Sequence, residues 1–166
     1  MRKVLSLILA IAAALSLTVS ALAADTKTMT IPVTLTVVHT AKSIDVTLPA
    51  ALPVSVVDGE VYTADNLVIR NNSDTTAVRV AAVDVTNGAY TVASYNSFPA
   101  STPGRIALCI NGCATTGAGS LVINSAAFPT IGTGGNLPIR YDAKVSDSGD
   151  LAGINAASVI FTLKAG

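Results

Sequence analysis

Residues 28–38 read TMTIPVTLTVV. Met29, Ile31, Val33, Leu35 and Val37 alternate with four threonines and Pro32, a strict period of two. That period puts the five apolar groups on one face of a strand and leaves the other face to water. The stretch lies near the start of the chain, so its apolar face can enter its own core or a neighbour's. Pro32 stands on the polar side and has no N–H, so a ladder through this strand is incomplete there.

Upstream, MRKVLSLILAIAAALSLTVSALA reads as a secretory signal. Arg2 and Lys3 supply the positive start, an apolar run follows, and Ala21-Leu22-Ala23 supplies the small-x-small site. Cleavage is expected after Ala23, leaving one domain over residues 24–166 in a secreted or cell-surface protein. No later apolar run is long enough to span a bilayer. Loss of Arg2 and Lys3 leaves eight of the ten basic residues against ten acidic ones, a net charge of −2. No basic cluster remains to neutralise phosphates, which argues against a nucleic-acid partner. Charged residues are only 12% of the chain, about half the usual share. Few lysines are then left to blunt exposed strand edges.

Other short alternating segments follow at near-regular spacing, punctuated by turn residues, and they predict an all-β fold, a single β-sandwich. Asp58-Gly59 and Asn87-Gly88 each read as the turn of a hairpin. From Val78 to Val85 the alternation changes phase at Ala81-Ala82, which predicts a β-bulge or a passage between sheets. Leu137–Ser146 reads as one strand, and Val159, Phe161 and Leu163 mark one face of the last. No segment of the predicted mature chain shows a helical period over more than two turns.

Chemistry-bearing residues are sparse. Cys109 and Cys113 flank Ile110-Asn111-Gly112, which fits a three-residue hairpin loop and would set the two sulfurs opposite each other. Export favours their oxidation to a disulfide, and no further ligands are near for a metal. His39 has no nucleophile motif to serve. Asp147, Asp150 and Asn155 match no calcium-loop spacing. Asn71-Asn72-Ser73 satisfies the N-glycosylation pattern. No nucleophile, acid–base pair or cofactor cradle stands out, so the chain reads as a non-enzyme with no cofactor and no metal.

The segment LPIRYDAKVSDSGDLAGINAASVIFTLKAG, Leu137 to Gly166, resembles the end of bacterial pilus subunits. There, an x-Pro-x-x-Tyr-x-Ala strand precedes a polar loop and a final alternating strand. The span from VTLPAALPVSVVDGEV to LVIRNNS is similar to small secreted proteins of Gram-positive bacteria, including fibre-forming camelysin-like β-sandwich proteins. The resemblance implies an immunoglobulin-like or jelly-roll subunit whose N-terminal strand, with Met29, Ile31, Val33, Leu35 and Val37 inward, inserts into the next subunit. Pilus subunits usually carry an early cysteine, whereas both cysteines here lie mid-chain. Sorting and lipid-attachment motifs are also missing from the sequence.

Two functions follow as expectations. One is an extracellular structural subunit that polymerises with itself by strand donation. The other is a monomeric module binding glycan or another cell-wall component, with Tyr62, Tyr90, Tyr95 and Tyr141 as the aromatics available for sugar stacking.

Overall fold

Two tight turns show how local sequence sets the framework. Asp58 and Gly59 take φ of +52° and +84°, and Asn111 and Gly112 take +47° and +80°. Positive φ at both central positions is the signature of the two-residue hairpin turn whose twist matches the strands it joins. The first closes as its dipeptide predicts, with Val57 opposite Glu60. In the second, Ile110 lies opposite Cys113. The loop between the cysteines is thus two residues long, not three.

The computed structural model describes residues 44–146 and 155–166. The expected signal sequence, the alternating stretch 28–38, His39, Asp147 and Asp150 lie outside the described residues. Within them the protein is all-β, without a helix. The strands are β1 (Val46–Thr47), β2 (Val54–Val57), β3 (Glu60–Thr63), β4 (Leu67–Asn71), β5 (Val78–Asn87) and β6 (Thr91–Val92). They continue as β7 (Arg105–Ile110), β8 (Cys113–Ala114), β9 (Gly119–Ser120), β10 (Asn136–Ile139), β11 (Tyr141–Val145) and β12 (Ala157–Ala165). One sheet runs β1-β4-β10, a second β11-β7-β6 with β8 also on β7, a third β12-β5-β9, and β2-β3 forms a hairpin. All pairings are antiparallel except that of β6 with β7.

The inward faces of these sheets share one core, built from Val, Ile and Leu around the two largest fully buried side chains, Tyr90 and Phe161. The phase change in β5 is a bulge. Thr162 lies opposite Ala82 and Leu163 opposite Val80, so Ala81 is the extra residue. The bulge re-aims the strand, and Val78, Val80, Val83 and Val85 all reach the interior.

Three expectations need correction. Leu137–Ser146 is two strands, β10 and β11, which join different sheets on either side of Arg140. Alternation continues through that residue, so the period of two cannot register the change of partner. Asn111 fixes the switch: its N–H donates to the Arg140 carbonyl at 2.7 Å, and its Oδ1 accepts from the Arg140 N–H at 2.8 Å.

Asn87-Gly88 does not close a hairpin, because neither residue takes positive φ and β6 pairs in parallel with β7. Gly88 instead lies against the entry to β12. Its N–H donates to the carbonyls of Tyr90 and Ala156, and an added Cβ would stand 2.4 Å from the Asn155 oxygen.

The cysteines are the third correction. With Ile110 opposite Cys113 and Cys109 opposite Ala114, alternation sends the two sulfurs to opposite faces of the hairpin. Both thiols are free, Cys113 buried and Cys109 half-buried across from Asp142. Burial, then the Asp142 charge, pushes the Cys109 thiol above its ordinary value. Labelling of unreduced protein is expected to find both thiols after denaturation and to proceed slowly in the native state. Absence of labelling after denaturation would require the three-residue loop instead.

Candidate functional site

β12 is the most regular strand of the fold, ASVIFTLKA without glycine or proline. Ala157, Val159, Phe161 and Leu163 point inward and are fully buried, as the alternation of Val159, Phe161 and Leu163 predicts. Phe161 meets Phe128 edge to face, with ring centroids 6.4 Å apart. The strand is anchored at both ends. The Ala156 carbonyl accepts from the N–H groups of Gly88 and Tyr90, and the Gly166 N–H donates to the Ala77 carbonyl at 2.8 Å.

From Ser158 to Lys164, the ladder partner of β12 among the described residues is β5, on one side only. On the opposite side those seven residues have no ladder partner among the described residues. Their outward-facing groups are Ser158, Ile160, Thr162 and Lys164, of which only Lys164 is charged and only Lys164 is exposed. Lysine on an edge strand discourages pairing, and here it guards one end alone. It also lies directly opposite Arg79, a like-charged pair that opposes the ladder where both are exposed. What this margin offers is a row of main-chain donors and acceptors above a formed core.

The polar residues elsewhere serve the fold. Asn71 is fully buried at the end of β4. Its Nδ2 lies 2.8 Å from the Thr76 carbonyl, 3.1 Å from that of Ile131 and 3.0 Å from that of Gly132, while its Oδ1 accepts from the Ser73 N–H at 3.0 Å. The amide nitrogen that a glycan would have to occupy is thus enclosed, and the Asn71-Asn72-Ser73 triplet is no acceptor in the folded chain. Tyr141 ties the β2–β3 hairpin to the body: its hydroxyl donates to the Pro53 carbonyl and accepts from the Ala64 N–H at 3.1 Å. Burial raises its phenol above the ordinary value.

The four tyrosines offered for sugar stacking separate by exposure. Tyr90 and Tyr141 are buried. Tyr95 is held by its neighbours: its hydroxyl donates to Asp142 Oδ2 at 2.6 Å, and Lys144 Nζ sits 4.3 Å from its ring centre while donating to its carbonyl. The hydrogen bond to Asp142, with burial second, pushes this phenol up to about 12. Tyr62, 52% exposed on β3, is the one tyrosine with a broad open surface.

Among the described residues no three His, Cys, Asp or Glu side chains gather as metal ligands, and no helix is long and apolar enough to cross a membrane. Sequence reasoning missed Asn71, Asn111 and the break at Arg140. The Asn111-Gly112 dipeptide carried a turn signal, but nothing local marked what the Asn111 side chain would grip. Comparison with known proteins finds no matching family model, curated protein or solved structure.

Proposed function

We propose that the protein is a secreted structural subunit of the bacterial surface or its extracellular matrix, and that copies join by strand addition. In this reading the domain is one immunoglobulin-like or jelly-roll sandwich, and the alternating stretch 28–38 is the strand that is donated. The observation that carries it is the Ser158–Lys164 margin of β12, open on one side among the described residues above a buried row of Val159, Phe161 and Leu163.

An eleven-residue stretch of period two is long enough to cover the seven residues Ser158–Lys164. Main-chain hydrogen bonds would supply adhesion, and Met29, Ile31, Val33, Leu35 and Val37 would supply side chains for one apolar face. Burying five such groups is worth roughly 7–15 kcal/mol before the costs of ordering and association. A contact that joins one surface of a copy to a different surface of the next does not close on itself, so it yields filaments.

Deletion of residues 25–38 tests the reading. The truncated protein is expected to be exported and to stay unpolymerised in negative-stain images under conditions where the full chain forms filaments. Filaments from the truncation, or none from the full chain, would refute it.

A further inference from the structure

The chain enters the described residues beside the end of β12. β4 finishes at Asn71, which pairs with Val46 of β1, and β5 begins at Val78, which pairs with Ala165 of β12. Residues 72–77 carry the chain from the one sheet to the other. A second link does the same: Ile131 bridges Val78 on the side of β5 away from β12, and residues 132–135 lead from it into β10. Asn71 clamps both links through the Thr76, Ile131 and Gly132 carbonyls. Two sheets so joined around one core are stacked, with β4 over β5 and β10 over the Ile131 segment. The orders β1-β4-β10 and β12-β5 then place β1 over β12.

At the start of β1, Ile44 is buried in that core. The Asp45 carbonyl accepts from the Asn72 N–H at 2.8 Å, and the Asp45 N–H donates to Ser73 Oγ at 2.9 Å. At the close of β12 the Gly166 N–H reaches the Ala77 carbonyl, at this same end of the sandwich. The entry to β1 and the end of β12 therefore share one edge and one end. Seven residues, 39–45, separate Val38 from β1. The link 72–77 crosses between the sheets with six, over the roughly 10 Å that separates stacked sheets.

We infer that in a single copy the stretch 28–38 lies along its own β12, parallel to it, and extends its own sheet. The direction follows from the corner. A chain that leaves Val38 and crosses to β1 where β12 finishes must run the way β12 runs. Residues 39–43 are then a hinge, and assembly is an exchange in which the strand leaves its own β12 for the same place on a neighbour. The inference rests on the reading of 28–38 as the strand that joins β12, and it adds where that strand sits before assembly. A short tether holds the strand at a roughly millimolar effective concentration, so closure within one copy dominates in dilute solution. Closed and exchanged forms share their strand contacts, so release of the strand limits filament growth.

The test is amide hydrogen exchange on the full mature chain, diluted until sedimentation shows single copies. Main-chain amides within 29–37 are expected to exchange ~100-fold or more slowly than in the unfolded chain. The β12 amides that do not face β5 should share this protection and lose it when residues 25–38 are deleted. A variant lacking residues 39–43 joins Val38 directly to Ile44, which leaves too little chain to cross between the sheets. Its strand can serve only a neighbour, so it should lose the single-copy state and assemble without the delay of the unaltered chain. Unprotected amides in the unaltered single copy, or protected ones in a hinge-deleted single copy, would overturn the inference. Filaments that grow from single copies with unprotected amides would refute closure and leave strand donation standing. Protection that the hinge deletion abolishes, with no assembly of either form, would uphold closure and refute donation.

Discussion

Asn71→Asp is expected to be among the most destabilising substitutions in this chain, although it changes one amide to a carboxyl. Asn71 Nδ2 lies within 3.1 Å of three main-chain carbonyl oxygens in a fully buried site. A carboxylate there would turn a donor into a fourth oxygen facing the other three, with its charge removed from water. Each buried hydrogen-bonding group left unpaired costs about 1–3 kcal/mol, and more when charged. A loss of about 3–5 kcal/mol at neutral pH is therefore expected.

The pH dependence identifies the cause. The site disfavours the charged form, so the folded-state pKa of the introduced carboxyl is raised above its unfolded value near 4. The folded state then holds the proton over a pH range where the unfolded state has lost it, and stability falls as pH rises through that range. Urea denaturation of the variant should show its deficit shrinking toward pH 4 relative to the parent protein. A deficit that stays constant with pH would mean that lost packing, not a buried charge, is responsible. Asn71→Leu, which removes the donor without adding charge, should be damaging with no such trend.

Phe161→Ala is the second large effect. Phe161 sits at the middle of β12, fully buried, opposite Val83 and in edge-to-face contact with Phe128. Truncating a buried phenylalanine to alanine typically costs 3–5 kcal/mol, from lost transfer energy plus the cavity left behind. A fall in melting temperature on the order of 10–20 °C follows for a domain of this size. A double-mutant cycle with Phe128→Ala should leave about 0.5–1.5 kcal/mol of coupling attributable to the ring pair. Loss of less than 1 kcal/mol in the single variant would show that the surrounding Val and Leu side chains collapse into the space.

How far the sequence could be read depends on whether a feature is local. The Asp58-Gly59 turn, the bulge at Ala81 and the inward face of β12 were legible because each is written in a few consecutive residues. The pairing of β6 with β7 was not. Asn87-Gly88 carries a strong turn dipeptide, yet Gly88 is placed by a contact with Asn155 and Ala156, far along the chain. The cysteine pair was misread by a single residue of loop length, and in a strand one residue exchanges the two faces. That β12 has a ladder partner on one side only among the described residues could not be seen at all, since alternation tells which side chains are buried and not which strands have neighbours.

Asn71 was hidden for the opposite reason. A polar residue at a strand end ordinarily marks a loop, and only the tertiary path brings the Ile131 and Gly132 carbonyls to it. The sugar-stacking reading loses three of its four tyrosines in the same way, because burial and hydrogen bonding had claimed them.

The Asn111 turn has a consequence for the order in which the chain can assemble. The turn itself is local and needs only its two residues, so it can form early, on the microsecond scale of hairpins. Its side chain then awaits partners that come later in the chain, the Ala127 and Pro138 carbonyls and the Arg140 N–H, up to 29 residues away. Until they arrive, the segment entering β10 has no fixed point at which to leave one sheet and begin the other. Two sheets are thereby made to commit together, so the rate-limiting event in folding should be the closing of this long loop onto an already formed turn.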